Sequence, residues 1–468
     1  MSHSVPDANA GLPQWLAYLE SLHHTTIDMG LERIRAVAKK LVLATPYVKI
    51  TVAGTNGKGS VCAMLEAILL SAGYKTGVYT SPHLISFNER IRLNGEMATD
   101  AQIVSQLVQI EQARGDISLS YFEYTTLAAL MLFKQQGIDV AVLEVGLGGR
   151  LDAVNLVDAD CAIITSIDID HTDYLGDTRE KIAWEKAHVF RSGKPAICAD
   201  PVPPQTLIDY ARDIGADLWL FGKDFNYSGD RQQWAFGGRV QRRSGLAYPA
   251  LRGANQLLNA SAALAAIEAL RLTLLVPQQA IRVGLAKVSL PGRLQILPGT
   301  PAIVLDVAHN QHAAAALGQN LDNMSSFQQT HAVVGMFNDK DAASVIKRLA
   351  SRVDRWYCAG LEGPRGLSGE QLADIVRQVL GGGLANDIPT VPDPTVAALA
   401  SSDSNRPGVK AVPRKPIDQK HVVVSSFNDP TLAFAEARKQ ASDNDRILVF
   451  GSFATVGPVL DVLGRPSS

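Results

Sequence analysis

The stretch that decides the fold runs from Val48 to Val61 and reads Val-Lys-Ile-Thr-Val-Ala-Gly-Thr-Asn-Gly-Lys-Gly-Ser-Val. Its apolar start predicts a buried strand, its glycine-rich centre a tight turn, and the residues that follow an amphipathic helix. A turn of this kind directs successive backbone N–H groups and a helix N-terminus toward phosphate oxygens. Lys58 would place a positive charge beside the phosphates, and Ser60 a hydroxyl beside a metal ion.

This turn departs from the common phosphate-binding pattern at two positions. Val52 stands where that pattern has its first glycine, and Gly59 separates Lys58 from Ser60. A tight turn that only joins a strand to a helix is the alternative interpretation. The strand–turn–helix context favours nucleotide binding, and we call residues 54–60 the P-loop.

Short apolar segments alternate with helical patterns on both sides of the P-loop. The expected strands are Val48–Ala53, Gly77–Thr80, Asp139–Glu144, Cys161–Ile167 and Pro195–Ala199. Helical patterns lie near residues 60–73, 100–114, 121–136 and 178–190. This alternation predicts an α/β fold, with a P-loop domain built on a doubly wound, mostly parallel sheet.

A second alternating series follows Leu290-Pro-Gly-Arg293 and predicts a second, smaller Rossmann-like α/β domain. Its expected strands are Ala302–Asp306, His331–Met336, Arg355–Cys358, His421–Val424 and Arg446–Phe450. A chain of 468 residues is too long for one core, and the Pro-Gly step suits a hinge. We therefore expect domains at 1–292 and 293–468. Residues 220–253 predict a small antiparallel appendage, and 402–420 a linker or surface loop.

Composition excludes several classes of protein. Apolar residues make up 46% and charged residues 19%, with a net charge of -2, which argues against a disordered chain and against a nucleic-acid binder. The polar N-terminus does not resemble a signal peptide, and the apolar stretch 260–276 is interrupted by Glu268 and Arg271. Four dispersed cysteines suit a reducing compartment. We expect a cytoplasmic, soluble protein without a membrane partner.

Two side chains at strand ends are candidate metal ligands. Glu144 closes an apolar strand before a glycine-rich turn, which favours a metal-binding carboxylate over an exposed strand-end residue. His171 follows the strand at Cys161–Ile167 and is surrounded by three aspartates. Two interpretations of His171 stay open, a metal ligand and a structural histidine. The aspartates either solvate the loop or orient the imidazole.

Several further segments point to one family. They are Thr26–Arg33, Thr80–Leu84, Tyr121–Tyr124, Glu144–Asp152, Leu290–Arg293 and Asp306–Asn310, in addition to Ala-Gly-Thr-Asn-Gly-Lys-Gly-Ser at 53–60. Together they resemble the Mur ligase superfamily of ATP-dependent amide-bond ligases. Within it they are similar to the bacterial folylpolyglutamate synthases that also act as dihydrofolate synthases. The resemblance spans nearly the whole chain and keeps the order of the motifs.

The resemblance implies an activity with two acceptors. L-glutamate would be joined to dihydropteroate, giving dihydrofolate, and to reduced folates, giving polyglutamates, through an acyl phosphate made with ATP as co-substrate. It implies Mg²⁺, with two ions, and we expect a monomer. The alternatives are a monofunctional folylpolyglutamate synthase and a P-loop ATPase that acts as a switch. A cell-wall Mur ligase is disfavoured because only 53 residues precede Gly54.

The resemblance also implies roles for individual residues. ATP would contact Thr55, Asn56, Gly57, Lys58, Gly59, Ser60, Asn259, Arg293, Asp306 and His309. The pterin or folate would contact Asp28, Met29, Gly30, Leu31, Ser120, Tyr121, Phe122, Glu123, Leu151, Asp152 and Ala153. The metal ligands would be Ser81, Glu144 and His171. The catalytic set would be Lys58, Glu144, His171 and Lys186, with Lys186 carbamylated.

If the family resemblance is set aside, several of these residues have simpler interpretations. Asn259 would be a helix-terminal side chain, Arg293 one half of a hinge ion pair, and Lys186 a solvated helix residue. Tyr121–Tyr124 would be the start of a core helix. The match is also loose at three positions, where Asn255, Gln311 and Val154 replace the family's usual His, Pro and Thr.

Overall fold

The computed structural model describes residues 4–23, 25, 27–230, 232–324, 327–381 and 422–464. The chain divides into two compact units. Unit 1 comprises Met1–Tyr248 and Leu258–Val288, and unit 2 comprises Pro249–Leu257 and Ser289–Ser468. The segment 402–420, predicted as a linker or surface loop, lies outside the described residues.

Unit 1 is built on an eight-stranded sheet. Its strands are β1 (Val48–Ala53), β2 (Thr76–Tyr79), β3 (Ile91–Leu93), β4 (Glu96–Met97), β5 (Val140–Glu144), β6 (Cys161–Ile164), β7 (Pro195–Cys198) and β8 (Asp217–Leu220). Their order is β4-β3-β2-β5-β1-β6-β7-β8, in which the pairs β2–β3 and β3–β4 are antiparallel and the other neighbours are parallel, so that β3 runs opposite to the other seven strands. Strand β1 therefore lies between β5 and β6, so the carboxyl ends of these three strands converge at one edge.

Helices pack on this sheet in unit 1. They are α1 (Leu12–Leu22), α2 (Glu32–Lys40), α3 (Lys58–Ser71), α4 (Asp100–Arg114), α5 (Tyr121–Gln135), α6 (Thr172–Leu175), α7 (Arg179–Ala187), α8 (Gln205–Asp213), α9 (Gln256–Ala269) and α10 (Gln278–Lys287). Helix α9 begins at the end of the unit 2 segment 249–257. Within the described ranges, no helix has both the length and the apolar character needed to cross a membrane.

The central strand forms as its sequence predicts. Ile50, Val52 and Ala53 are fully buried, because a parallel strand in the middle of a doubly wound sheet is covered on both faces. Its predicted bounds are confirmed. Those of β5 and β7 differ by one residue at one end, and β2 is shifted by one residue at both ends. Strand β6 ends at Ile164 rather than Ile167, because the backbone of Ile167 is bonded to side chains instead of to a neighbouring strand.

A small antiparallel sheet follows β8, as residues 220–253 predict. It consists of β9 (Asn226–Gly229), β10 (Trp234–Gly237) and β11 (Arg242–Leu246), in the order β11-β10-β9. Trp234 and Phe236 alternate inward on the central strand and are buried.

Unit 2 carries a six-stranded sheet. Its elements are β12 (Gln295–Leu297), β13 (Ala302–Asp306), α11 (Gln311–Asp322), β14 (Thr330–Val334), α12 (Ala342–Leu349), β15 (Arg355–Ala359), α13 (Gly369–Gly381), β16 (Val423–Phe427), α14 (Pro430–Gln440), β17 (Arg446–Phe450) and α15 (Phe453–Leu463). The strand order is β12-β13-β17-β14-β15-β16, with β12 alone antiparallel. The predicted α/β class with a second, smaller α/β unit is confirmed.

Strand bounds in unit 2 follow the predictions closely. Strands β13 and β17 match in full, whereas β14 runs over Thr330–Val334 rather than His331–Met336. Strand β16 begins at Val423, and the expected first residue, His421, lies outside the described residues. The core between sheet and helices contains Val334, Trp356 and Phe450.

The helix that follows the P-loop is held at close range by another helix. Gly284 of α10 faces Ile68 of α3, and a methyl group at position 284 would lie 2.6 Å from the Ile68 Cα. A backbone atom cannot move aside as a side-chain end can. The glycine therefore sets the distance between α3 and α10.

We expect Gly284→Ala to lower the free energy of unfolding by about 1–3 kcal/mol, because the added methyl forces the two helices apart. Urea unfolding measures the change. Gly381→Ala is the matched control, since position 381 also lies in a helix and no atom of the described residues lies within 4 Å of the added methyl. Equal or greater stability of Gly284→Ala, as expected from alanine's higher helix propensity alone, would contradict this account.

Candidate active site

The P-loop joins β1 to α3 through two glycines with positive φ. Gly54 has φ 140° and Gly57 has φ 90°, and α3 begins at Lys58. A methyl group at Gly54 would lie 2.0 Å from Thr165 Oγ1, so no other residue fits there. Helix α3 is largely buried from Ser60 onward, and its first N–H groups lie at the end of the loop. This is the geometry that binds phosphate groups in proteins.

A second loop, residues 165–168 after β6, supports the P-loop. Thr55 N donates to Ser166 O at 2.7 Å, and Asn56 N donates to Ser166 Oγ at 3.0 Å. Thr165 Oγ1 donates to Asn56 O at 2.6 Å. Asp168 N donates to Thr55 Oγ1 at 3.0 Å. Sequence reasoning missed Thr165 and Ser166, although hydroxyl residues directly after a strand beside the P-loop were the available signal.

Two lysine side chains meet at one carbonyl of the P-loop. Lys58 Nζ donates to Gly54 O at 3.1 Å, and Lys186 Nζ donates to the same oxygen at 3.0 Å. Lys186 is only 5% exposed. Burial, aided by the charge of Lys58, lowers the pKa of Lys186 to about 7. Spacing alone indicated a solvated lysine, whereas the structure places it on the buried face of α7.

Asn259 lies against the P-loop. It sits in the first turn of α9 and is nearly buried. A methyl group at Gly57 would lie 2.6 Å from Asn259 Oδ1. The side chain is therefore directed at the loop rather than at its own helix end, and Gly57 must be glycine for two independent reasons.

Oxygen donors gather beside the loop at the end of β5. Glu144 is 5% exposed, and its Oε2 accepts a hydrogen bond from Ser81 N at 3.1 Å. Ser60, in the first turn of α3, is also buried. Burial raises the pKa of the Cys62 thiol on α3, and the negative charge of Glu144 raises it further. The Glu144 carboxylate is therefore close enough to α3 to influence a group on that helix electrostatically. Carboxylate and hydroxyl oxygens are the ligands that suit Mg²⁺.

His171 occupies a left-handed turn before α6, with φ 52°. Its backbone N donates to Asp170 Oδ1 at 2.8 Å, and its Nε2 lies 4.0 Å from the same oxygen. Asp170 also acts on Lys186, whose pKa it raises against the effect of burial. Across the described part of the chain, no three His, Cys, Asp or Glu residues are grouped closely enough to hold a metal ion. Ligation by His171 stays a prediction.

Arg33 joins two segments predicted to hold the pterin. Its Nη1 lies 2.7 Å from Asp28 Oδ2, and its Nη2 donates to Asp28 O at 3.1 Å. Its Nε donates to Glu123 Oε2 at 3.3 Å. His23 Nε2 lies 2.8 Å from Asp28 Oδ2 and extends this network. The sequence reasoning included Arg33 in a motif but gave it no role.

The aromatic part of this region packs on the glycine turn after β5. Phe122 stacks on Tyr79 with ring centroids 5.8 Å apart. A methyl group at Gly146 would lie 2.7 Å from Phe122 Cζ, and one at Gly148 would lie 3.7 Å from Met29 Cε. The turn that follows Glu144 thus lies against Phe122, and Met29 lies near its Gly148.

Some predicted pterin contacts have structural roles. Ser120 and Glu123 form a capping box at the start of α5, in which Ser120 N donates to Glu123 Oε2 at 2.8 Å. Asp152 is buried and accepts from Leu147 N at 2.8 Å and Val154 N at 2.9 Å. Burial raises the pKa of Asp152 to about 6, against the lowering effect of those bonds. Their contacts with a substrate stay predictions.

In unit 2, three predicted ATP contacts lie at the carboxyl end of β13. Asp306 accepts from Leu294 N and from Ala308 N, both at 2.8 Å. Burial raises the pKa of Asp306, and the charge of Arg293 opposes this. The Arg293 guanidinium lies 4.9 Å from the Phe453 ring, and His309 Nδ1 lies 2.8 Å from Val307 O.

Comparison with protein families defines the class. Residues 52–267 match the Mur ligase middle domain, and residues 292–453 match the Mur ligase glutamate ligase domain. The fold is that of the Mur ligases.

Comparison with individual relatives identifies a narrower family within the Mur ligases. The dihydrofolate synthase/folylpolyglutamate synthase of Escherichia coli K12 is 44% identical, and the match covers 98% of this chain and 97% of that protein. The structure of E. coli FolC in complex with DHPP and ADP has a TM-score of 0.85 and 43% identity, covering 98% and 99% of the two chains. A bifunctional folylpolyglutamate synthase/dihydrofolate synthase with Mn, AMPPNP and L-glutamate bound has a TM-score of 0.82 and 42% identity, covering 98% and 100%.

The chain belongs to the dihydrofolate synthase/folylpolyglutamate synthase family of the ATP-dependent Mur ligases. The resemblance carried by the ordered motifs is thereby confirmed.

The lowered pKa of Lys186 predicts a pH dependence of stability. Between about pH 7 and pH 10 the unfolded chain holds this proton and the folded chain does not, so the stability rises with pH. The increase for this group is at most about 1.4 kcal/mol per pH unit.

Urea unfolding in CO₂-free buffer measures this effect. The relevant quantity is the free energy of unfolding of the wild type minus that of Lys186→Met at the same pH. The difference should grow from pH 7 to pH 9. Lys181→Met, at an exposed position of the same helix, is the control and should show no such trend. A difference that is constant or shrinks with pH would show that the Lys186 pKa is not lowered.

Proposed function

We propose that this chain joins L-glutamate to dihydropteroate, giving dihydrofolate, and to reduced folates, giving polyglutamates, with ATP consumed in each step. One observation carries the proposal. Three parts of the site follow neighbouring strands at one edge of the sheet. They are the phosphate-binding loop with Lys58, the pair of Glu144 and Ser81, and the glycine turn near Phe122 and Met29. The relatives support it, since one of their structures is a complex with DHPP and ADP, and another has Mn, AMPPNP and L-glutamate bound.

The chemistry follows from the poor reactivity of a carboxylate toward an amine. A carboxylate oxygen of the acceptor attacks the γ-phosphorus of ATP, and ADP leaves. The glutamate amine then attacks the acyl carbon of the resulting acyl phosphate, and inorganic phosphate leaves. The protein supplies position and charge: the P-loop N–H groups and Lys58 bind the phosphates, and the turn after β5 places the acceptor.

Glu144 and Ser81 are the residues that we propose for one Mg²⁺, and their donor set of hard oxygens fits that ion. The ion supplies neutralisation of phosphate charge when bound. For a second ion we propose His171 and Lys186. A buried amine with a pKa of about 7 is largely neutral at slightly alkaline pH, which is the form that reacts with CO₂ to give a carbamate.

The remaining site assignments are proposals that rest on the resemblance. They are ATP contacts by Thr55, Asn56, Gly57, Gly59, Ser60, Asn259, Arg293, Asp306 and His309, and pterin contacts by Asp28, Gly30, Leu31, Ser120, Tyr121, Glu123, Leu151, Asp152 and Ala153. We also propose domains at 1–292 and 293–468, supported by the unit boundary at Val288 and the family match that begins at residue 292. The cytoplasmic location and the monomeric state stay predictions.

The activity is tested with purified protein, ATP, Mg²⁺, glutamate and either dihydropteroate or a tetrahydrofolate, with products identified by mass. We expect a product heavier by one glutamyl unit with each acceptor. Product from the tetrahydrofolate alone would indicate a monofunctional folylpolyglutamate synthase. Phosphate release that does not depend on acceptor or glutamate would indicate a switch ATPase instead.

Lys58→Ala should reduce ATP-dependent glutamate addition by at least about 100- to 1,000-fold, because the charge beside the phosphates is lost. The rate of product formation by mass measures this effect. Circular dichroism should show a folded protein, and Lys181→Ala should keep wild-type turnover. Undiminished turnover in Lys58→Ala would remove the P-loop from the proposed chemistry.

Arg33→Met should raise the KM for dihydropteroate about tenfold or more and leave the KM for ATP nearly unchanged, because it disconnects Asp28 from Glu123 without touching the P-loop. Steady-state kinetics with each substrate varied in turn gives both constants. Arg35→Met, on the same helix, is the control. A parallel rise in both KM values would point to a general loss of structure rather than to acceptor positioning.

A further inference from the structure

A buried ion pair stands behind the loop that supports the P-loop. Asp200 follows β7 and is fully buried. Arg179 is the first residue of α7, and its Nη2 donates to Asp200 Oδ1 at 3.1 Å and to Oδ2 at 3.0 Å. The same nitrogen donates to Val202 O at 3.0 Å. The pair thus connects the end of β7 to the start of the helix that carries Lys186.

The ion pair binds both polar backbone groups of one residue. Ile167 N donates to Asp200 Oδ2 at 2.7 Å, and Arg179 Nε donates to Ile167 O at 2.9 Å. Ile167 is buried, so these groups need partners, and no neighbouring strand supplies them. Hydrogen bonds with charged partners are the short, strong class, and a planar guanidinium adds a fixed direction.

Ile167 lies in the middle of the contact with the P-loop. On one side, Ser166 O accepts from Thr55 N at 2.7 Å, and on the other, Asp168 N donates to Thr55 Oγ1 at 3.0 Å. The chain then continues to His171. Any shift of Ile167 therefore changes the position of Thr55 in the P-loop and of His171 together.

We propose that Arg179 and Asp200 are positioning residues for nucleotide binding, which fix the loop 165–168 and through it the P-loop. This inference rests on the proposed function, since it assigns the P-loop to ATP. Neither residue was singled out by the sequence reasoning, and neither contacts the P-loop itself. Their effect reaches the nucleotide through the backbone of Ile167.

The opposite end of the same strand offers a matched control. Asp160 directly precedes β6, and its Oδ2 accepts from Lys49 N at 3.0 Å. Its carboxylate also pairs with Lys49 Nζ and Lys194 Nζ, both at 3.2 Å. It too is a carboxylate that binds a backbone N–H and a cation beside β6. It lies at the amino end of the strand, away from the P-loop.

The experiment compares MgADP affinity by calorimetry and unfolding temperature in the wild type, Arg179→Met, Arg179→Lys and Asp160→Asn. We expect Arg179→Met to weaken MgADP binding at least tenfold and Arg179→Lys to lie between it and the wild type. Asp160→Asn should bind within twofold of the wild type even where its unfolding temperature falls. If Arg179→Met does not fold, Arg179→Lys against Asp160→Asn decides the question in the same way.

Binding of MgADP by Arg179→Met within twofold of the wild type would overturn the inference and leave the proposed function intact. An equal loss in Asp160→Asn would also overturn it, because the effect would then follow stability rather than position. A wild type that does not bind MgADP would overturn the proposed function and this inference together.

Discussion

The site depends on the close contact between the backbone of Gly54 and the loop after β6. Only a residue without a side chain lets Thr165 approach, and the resulting bonds from Thr165, Ser166 and Asp168 give the P-loop its shape. The carbonyl of Gly54 then accepts from both Lys58 and Lys186. One backbone position therefore determines where two lysine amines lie. The placement of both groups follows from a steric constraint.

The other groups of the site take their places from the same sheet edge. Strand β1 leads into the P-loop, β5 ends in Glu144, and β6 leads to the loop that carries His171. Parallel strands end at one edge, so groups that are far apart in sequence meet without any long loop. The glycines after Glu144 extend this edge, because Phe122 packs on Gly146 and Met29 lies near Gly148.

Much of this arrangement could be predicted from the sequence, and the physical reasons differ between elements. Strand β1 and its turn were predictable because apolar runs and glycines act locally. The shortened β6 was not, because its end depends on Asp200 and Arg179, which lie 33 and 12 residues from Ile167 along the chain. Burial of Lys186 and the bridge made by Arg33 are likewise tertiary, and no spacing rule encodes them.

The tight packing of α3 has a consequence for how the protein moves. Gly284 brings α10 against the backbone of this helix, and residues from Ser60 to Leu69 are largely buried. Local opening of this helix would expose most of that core, so its amide hydrogens should exchange with solvent only when unit 1 unfolds as a whole. A phosphate loop anchored in this way is ordered before any nucleotide arrives. Binding then loses little conformational entropy, and affinity reflects the contacts themselves.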